Sequence, residues 1–142
     1  MRLNKYFYLQ EFVPKHIYLK YEEKSLRFID PSIIKLAFLF REIYGPTTIN
    51  NWLWEGQNND SGYRDSLSPF YSPTSQHSFG RALDLHFLDY HSPEDYDSIR
   101  EDIKKHQNKW MQFGLTRVEN QVHWLHIDRA YTGIDEINFF NP

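Results

Sequence analysis

The chain has 142 residues, 40% of them apolar and 18% aromatic, with four Trp, ten Tyr and eleven Phe; this fills one hydrophobic core and excludes a disordered chain. The formal charge of -3, with Lys and Arg scattered along the chain, excludes the basic face that a nucleic-acid binder needs. Cysteine is absent, which excludes disulfides, thiolate ligands and cysteine nucleophiles together, so any metal must be held by His, Asp or Glu.

The N-terminus, MRLNKYFYLQEFVPKH, lacks the uninterrupted apolar stretch of a signal peptide, and no run is long enough to cross a bilayer. The expectation is a protein made in the cytosol, without membrane insertion. Neither a repeat nor a linker divides the chain, so residues 1–142 read as one domain. Its first 29 residues form an aromatic-rich lead-in, in which PKHIYLKYEEKS predicts a short helix opening at Pro14. DPSIIKLAFLFREIYGP predicts a longer one, with Asp30 as N-cap, Pro31 at the first helical position, an apolar stripe of Ile33, Leu36, Ala37, Phe40 and Tyr44, and Gly45-Pro46 as the stop. The β-branched run TTINNWLW then reads as a strand. Residues 55–74, rich in Asn, Ser, Gly and Pro, read as a long loop of the kind that carries function.

A second strand begins at about Arg81. HSPEDYDSIREDIKKHQNKWMQFG predicts a helix capped by Ser92, with acidic residues early, lysines late, and Tyr96, Ile99, Ile103, His106 and Trp110 in one stripe. GLTRVENQVHWLHIDRAYTG ends the pattern with two strand-like pieces around a polar turn at about Glu119 to Gln121. Helices and strands in this order give an α+β fold, a small antiparallel sheet packed against helices.

Two stretches carry chemistry. In RALDLHF, alternation sets Ala82, Asp84 and His86 on one face and Leu83, Leu85 and Phe87 on the other. In HWLHID it sets Trp124, His126 and Asp128 opposite Leu125 and Ile127. If the apolar faces meet the core and the strands are neighbours, Asp84 and His126 share a surface, with Asp128 placed to hydrogen-bond a ligand imidazole. His77 precedes the first strand, and Gly80 permits a turn that swings its imidazole toward Asp84. Two imidazoles and one carboxylate from separate segments suit a catalytic zinc site with a fourth position left for water. Taken singly, each residue also fits an ordinary role: Asp84 a turn cap, His77 a loop residue, His126 a hydrogen-bonded strand residue. Trp52, Trp54, Tyr63 and Trp124 are candidates to wall a cleft, and equally candidates for the core.

SQHSFGRALDL resembles the Ser-x-His-x-x-Gly-x-Ala-x-Asp signature of the M15 zinc peptidases, the D-alanyl-D-alanine carboxypeptidases, dipeptidases and phage endolysins that cut peptidoglycan peptides. WLHID is similar to their second signature, Trp-x-His-x-Asp, and SGYR at Ser61 to Arg64 to their upstream segment. The matches come in the family's order, within a motif core of about 47–130. The resemblance implies a hedgehog/DD-peptidase-like fold, Zn2+ held by His77, Asp84 and His126, and Arg64 near the substrate's carbonyl or carboxylate. Ser75 would be a hydrogen-bonding signature residue or simply a turn hydroxyl. The implied substrate is a peptidoglycan stem peptide, cut as by a carboxypeptidase or an endolysin-type endopeptidase. The implied origin is a phage, with the protein reaching the wall after release or as part of a virion.

One position departs from the pattern. Many of these enzymes carry a glutamate three residues before the second histidine; here that residue is His123. The general base is therefore His123, or Glu119 seven residues before His126, or absent. In the last case the chain would be a weak or inactive relative, serving as a structural or binding component with virion partners.

Overall fold

The computed structural model describes residues 1–142. In the lead-in, 3-10 turns at Leu9–Glu11 and Glu22–Phe28 flank helix α1, Lys15–Tyr21, which Pro14 opens. Phe7, Phe12, Val13 and Ile17 of this segment belong to the core cluster, so the lead-in is part of the domain and not an appendage. Helix α2, Pro31–Tyr44, starts where Asp30 accepts a hydrogen bond from Ser32 N at 2.9 Å, and it ends at Gly45, whose φ of 93° turns the chain away. Of its expected stripe, Ile33, Leu36, Ala37 and Phe40 are fully buried and Tyr44 is half-buried.

The strand expected over TTINNWLW is only Thr47–Thr48, β1; Trp52–Trp54 is a 3-10 turn. Asn51 is the reason. Its carbonyl accepts from Trp54 N and Gly56 N and its side chain from Asn58 N, folding the chain back where β-propensity alone predicts extension. Helix α3, Pro93–Lys105, opens with a Ser92/Asp95 capping box. The single helix expected there breaks at His106, which is exposed and not in the buried stripe, and a short helix α4, Gln107–Gln112, follows. Trp110 of α4 stacks on Phe40 of α2 with ring centroids 4.1 Å apart.

The remaining strands are β2, Ala82–Phe87; β3, Arg117–Glu119; β4, Leu125–Asp128; and β5, Asn138–Phe140. They form with β1 a five-stranded sheet of order β1-β2-β4-β3-β5. All pairs are antiparallel except β3 and β5, which are parallel. The sheet is therefore mixed and not the antiparallel one expected: residues 129–137 carry the chain across β3 before β5 begins. Leu83, Leu85, Phe87, Val118, Leu125 and Ile127 join α2 and α3 residues in one core cluster of 22 buried side chains, which makes the chain one α+β domain. Asp84, His86, Arg117, Glu119, His126 and Asp128 alternate with them and share the other face. No helix is long and apolar enough to cross a membrane.

Candidate metal centre

The β2/β4 register sets Asp84 directly opposite His126, and His126 Nδ1 lies 2.8 Å from Asp84 Oδ1. The apolar alternation of both strands dictates this: burying Leu83, Leu85, Leu125 and Ile127 on one face leaves the two polar residues together on the other.

His77 arrives from outside the sheet, on the 3-10 turn Gln76–Phe79. Ser75 caps this turn by accepting from His77 N at 3.2 Å, and Gly80, at φ 66°, reverses the chain into β2. A Cβ at Gly80 would collide with the Phe28 carbonyl, so glycine is required twice over. The SGYR segment locks the turn in place. Ser61 O accepts from Asp84 N, Arg64 N donates to His77 O, and Tyr63 N donates to Phe12 O.

Within that clamp, His77 Nδ1 donates to Gly62 O at 2.8 Å. A carbonyl can only accept, so Nδ1 carries the proton and Nε2 is left to face Asp84 Oδ1 at 3.3 Å. An imidazole lone pair facing a carboxylate oxygen is repulsive unless a proton or a cation stands between them. The ligating atoms of His77, Asp84 and His126 all lie within 4.8 Å of one another, and the three residues are buried. The Asp84 Oδ1 oxygen lies 2.8 Å from His126 Nδ1 and 3.3 Å from His77 Nε2, a grouping that could hold a metal ion.

With a proton on His77 Nε2 in place of a cation, burial works against the charge on Asp84, but the His77 imidazolium and the hydrogen bonds from His126 and His77 outweigh it and hold the carboxyl well below the usual carboxylate range. His126 is pushed the other way: burial disfavours its imidazolium, yet hydrogen bonds to Asp128 and Asp84 raise its pKa to about 9. Its Nε2 lies 2.9 Å from Asp128 Oδ2. Asp128 is wholly buried and takes two hydrogen bonds from Arg117 Nε and one from Nη2. A carboxylate behind a ligating imidazole fixes which ring nitrogen faces the metal.

Arg64 and Glu119 complete the wall. Arg64 donates from Nη2 to Asp84 Oδ2 at 3.0 Å and from Nε to Asp60 O, which leaves Nη1 without a protein partner. Glu119 is not on the predicted turn: it is the last residue of β3, with Oε2 3.9 Å from His126 Nδ1. These residues line a cavity of about 620 Å3 together with Ser75, Phe70, Trp124 and Phe140. His123 is not among them. It is exposed, packs edge-on against Trp124, and lines a separate cavity, because the Asn120–Trp124 connection points it away from the His126 face. Of the aromatics considered for a cleft, only Trp124 is in its wall. Tyr63 stacks on Phe28, Trp52 donates to Val13 O, and the exposed Trp54 ring packs edge-on against Tyr8.

Two residues that sequence reasoning missed shape the site. Phe140 of β5 packs edge-on against His126, with the Arg117 guanidinium 4.4 Å from its ring centroid. Arg100 of α3 is 2% exposed and uses every donor of its guanidinium: Nε to Glu119 O, Nη2 to Val122 O and Trp124 O, Nη1 to Pro93 O and Asp97 Oδ1. It thereby fixes the loop that carries the chain from Glu119 to His126. An arginine at Ile99+1, on the rim of the apolar stripe, was the only sequence signal for it. His86, half-buried on the Asp84 face, lies 3.2 Å from Ser61 Oγ, and burial lowers its pKa.

Compared with known families, curated proteins and solved structures, the chain finds no match in any of the three.

Proposed function

We propose that the chain is a zinc-dependent peptidase of hedgehog/DD-peptidase-like fold that hydrolyses a peptide bond in bacterial peptidoglycan stem peptides. The observation that carries this reading is the convergence of His77 Nε2, Asp84 Oδ1 and His126 Nδ1 beside the carboxylate of Glu119. The three motif resemblances supply the substrate class. They also carry the expectation that a phage lysis system or a virion brings the protein to the wall.

Two imidazoles and one carboxylate are the donor set suited to catalytic zinc. Zinc held there would supply Lewis-acid polarisation of the scissile carbonyl and lower the pKa of water to about 7. The chain's own residues do the rest. Glu119 Oε2 takes a proton from the attacking water and returns it to the departing amine nitrogen. Arg64, with Nη1 uncommitted, binds the oxygen on which negative charge develops, while its Nη2 keeps Asp84 Oδ2 turned from the ligand position. Asp128 and Arg117 hold the His126 ring, and Phe140 packs edge-on against it.

Incubation of the zinc-supplemented protein with muropeptides, read by mass spectrometry, tests the reading. Cleavage abolished by chelation and by Glu119→Gln supports it. Zinc bound without any cleavage overturns it in favour of a binding component.

A further inference from the structure

The wall of the metal-site cavity contains two arginines, Arg64 and Arg117, and no lysine. They stand on opposite flanks of His126: Arg64 grips Asp84 of β2, while Arg117 belongs to β3, on the other side of β4. Holding Asp128 occupies only one edge of the Arg117 guanidinium.

A guanidinium carries its N–H groups in one plane as a rigid fork. In Arg117 the Nε hydrogen and one on Nη2 go to the Asp128 carboxylate, which leaves both hydrogens of Nη1 and the second of Nη2. On the end edge, one hydrogen from each Nη points the same way, the arrangement that takes a carboxylate through two parallel bonds. Two other approaches are closed: the wholly buried Asp128 covers the side edge, and the Phe140 ring centroid lies 4.4 Å from the guanidinium carbon. Glu119, two residues along β3, makes no ion pair with Arg117. Nη1 thus has no protein partner, and it is not among the buried polar atoms that lack one, so it is open to solvent. The Arg117 side chain is 28% exposed and lines the cavity. Asp128 and Phe140 fix the fork in advance, so a ligand that takes the end edge costs it little side-chain freedom.

We infer that the end edge of Arg117 is a carboxylate-binding subsite of the metal cavity, so that the substrate carries a carboxylate on the β3 side of the bond cut, opposite Arg64. This rests on the peptidase reading above. A C-terminus and an acidic side chain present the same two oxygens, and the experiment separates them.

The test uses one stem peptide in four forms: with its acidic residue and C-terminus free, with the C-terminus amidated, with the acidic side chain as its amide, and with both neutralised. Equilibrium binding to zinc-supplemented Glu119→Gln protein by calorimetry, and kcat/KM of the zinc-supplemented parent, are read for each. Neutralising the bound carboxylate is expected to cost about tenfold or more, the worth of a charge-assisted hydrogen bond, and the form that shows the loss names the source. Arg117→Gln is expected to bring the acid-to-amide ratio toward one. So is Arg117→Lys, which keeps a cation beside Asp128 but lacks the second edge. An Arg117 that only supports Asp128 would act through zinc affinity and weaken all four peptides alike, leaving the ratio unchanged. A ratio near one in the parent, or a ratio that both Arg117 variants keep, overturns the subsite and leaves the peptidase reading standing. Preferential binding of the acid form with cleavage of none overturns the peptidase reading alone, and binding of no form overturns both.

Discussion

Asp128 Oδ2 lies 2.9 Å from His126 Nε2, and Arg117 grips the same carboxylate through Nε and Nη2. The consequence is directional: with Nε2 engaged, Nδ1 is the nitrogen that faces Asp84 and the metal position. Asp128→Asn replaces a carboxylate acceptor with an amide and is expected to weaken zinc binding about 10- to 100-fold. Competition with a chromophoric chelator measures this. Unchanged affinity would show that the pair does not orient the ring.

Glu119 and His123 make opposite predictions as proton carriers. Glu119→Gln is expected to retain zinc and lose about 10²- to 10⁴-fold in turnover, the usual worth of general acid–base catalysis. His123→Gln, at an exposed residue outside the metal-site cavity, is expected to change turnover far less. Single-turnover rates on muropeptides separate them, and the assignment fails if the His123 variant loses more turnover than the Glu119 variant.

Arg100 supports the site through backbone carbonyls, so its effect is first on stability. Lysine keeps the charge but offers three donors where five are used, and it lacks the planar fork. Arg100→Lys is expected to cost about 2 to 4 kcal/mol, as buried carbonyls lose their partners. Urea unfolding measures it, and a cost below about 0.5 kcal/mol would show that the loop from Glu119 to Trp124 holds its own shape.

Glu11 is buried at 3% exposure, with Tyr8 N its donor at 2.9 Å. Burial pushes its pKa up from 4.5 to about 7, and the Tyr8 hydrogen bond offsets only part of this. The native state therefore holds a proton that the unfolded chain has released between those values. The contribution to stability is full below pH 4.5, is lost as pH rises to about 7, and is level above that. Glu11→Gln removes this dependence and is expected to be about 1 to 2 kcal/mol more stable than the parent at pH 8, relative to their difference at pH 4.5. Unfolding of both proteins at the two pH values decides it; a difference that does not change with pH contradicts the burial argument.

Much of the site was legible because strand alternation is a strict period. Once Leu83, Leu85, Leu125 and Ile127 are buried, Asp84 and His126 have one face left to occupy, and the register brings them opposite each other. The same logic failed for Glu119, because a three-residue strand followed by a polar run reads as turn; its place on β3 depends on pairing with β4 and β5, which is tertiary. Phe140 was invisible for a related reason: NFF is too short to announce a strand, and only parallel pairing to β3 brings it over His126. Arg100 sits in a charged helix where a solvated side chain is the ordinary expectation. Its burial comes from carbonyls 19 to 24 residues away. At Trp52–Trp54 the side-chain hydrogen bonding of Asn51 overrode β-propensity, a contest that residue type alone does not decide.

The most direct measurement is zinc content and peptidoglycan cleavage on one and the same sample, for the parent and for His77→Ala. The account predicts one zinc per chain with new peptide ends in the parent, and loss of both in the variant while the circular dichroism of the fold is kept. One zinc per chain in both proteins, or cleavage by the variant at the parent's rate, would contradict it.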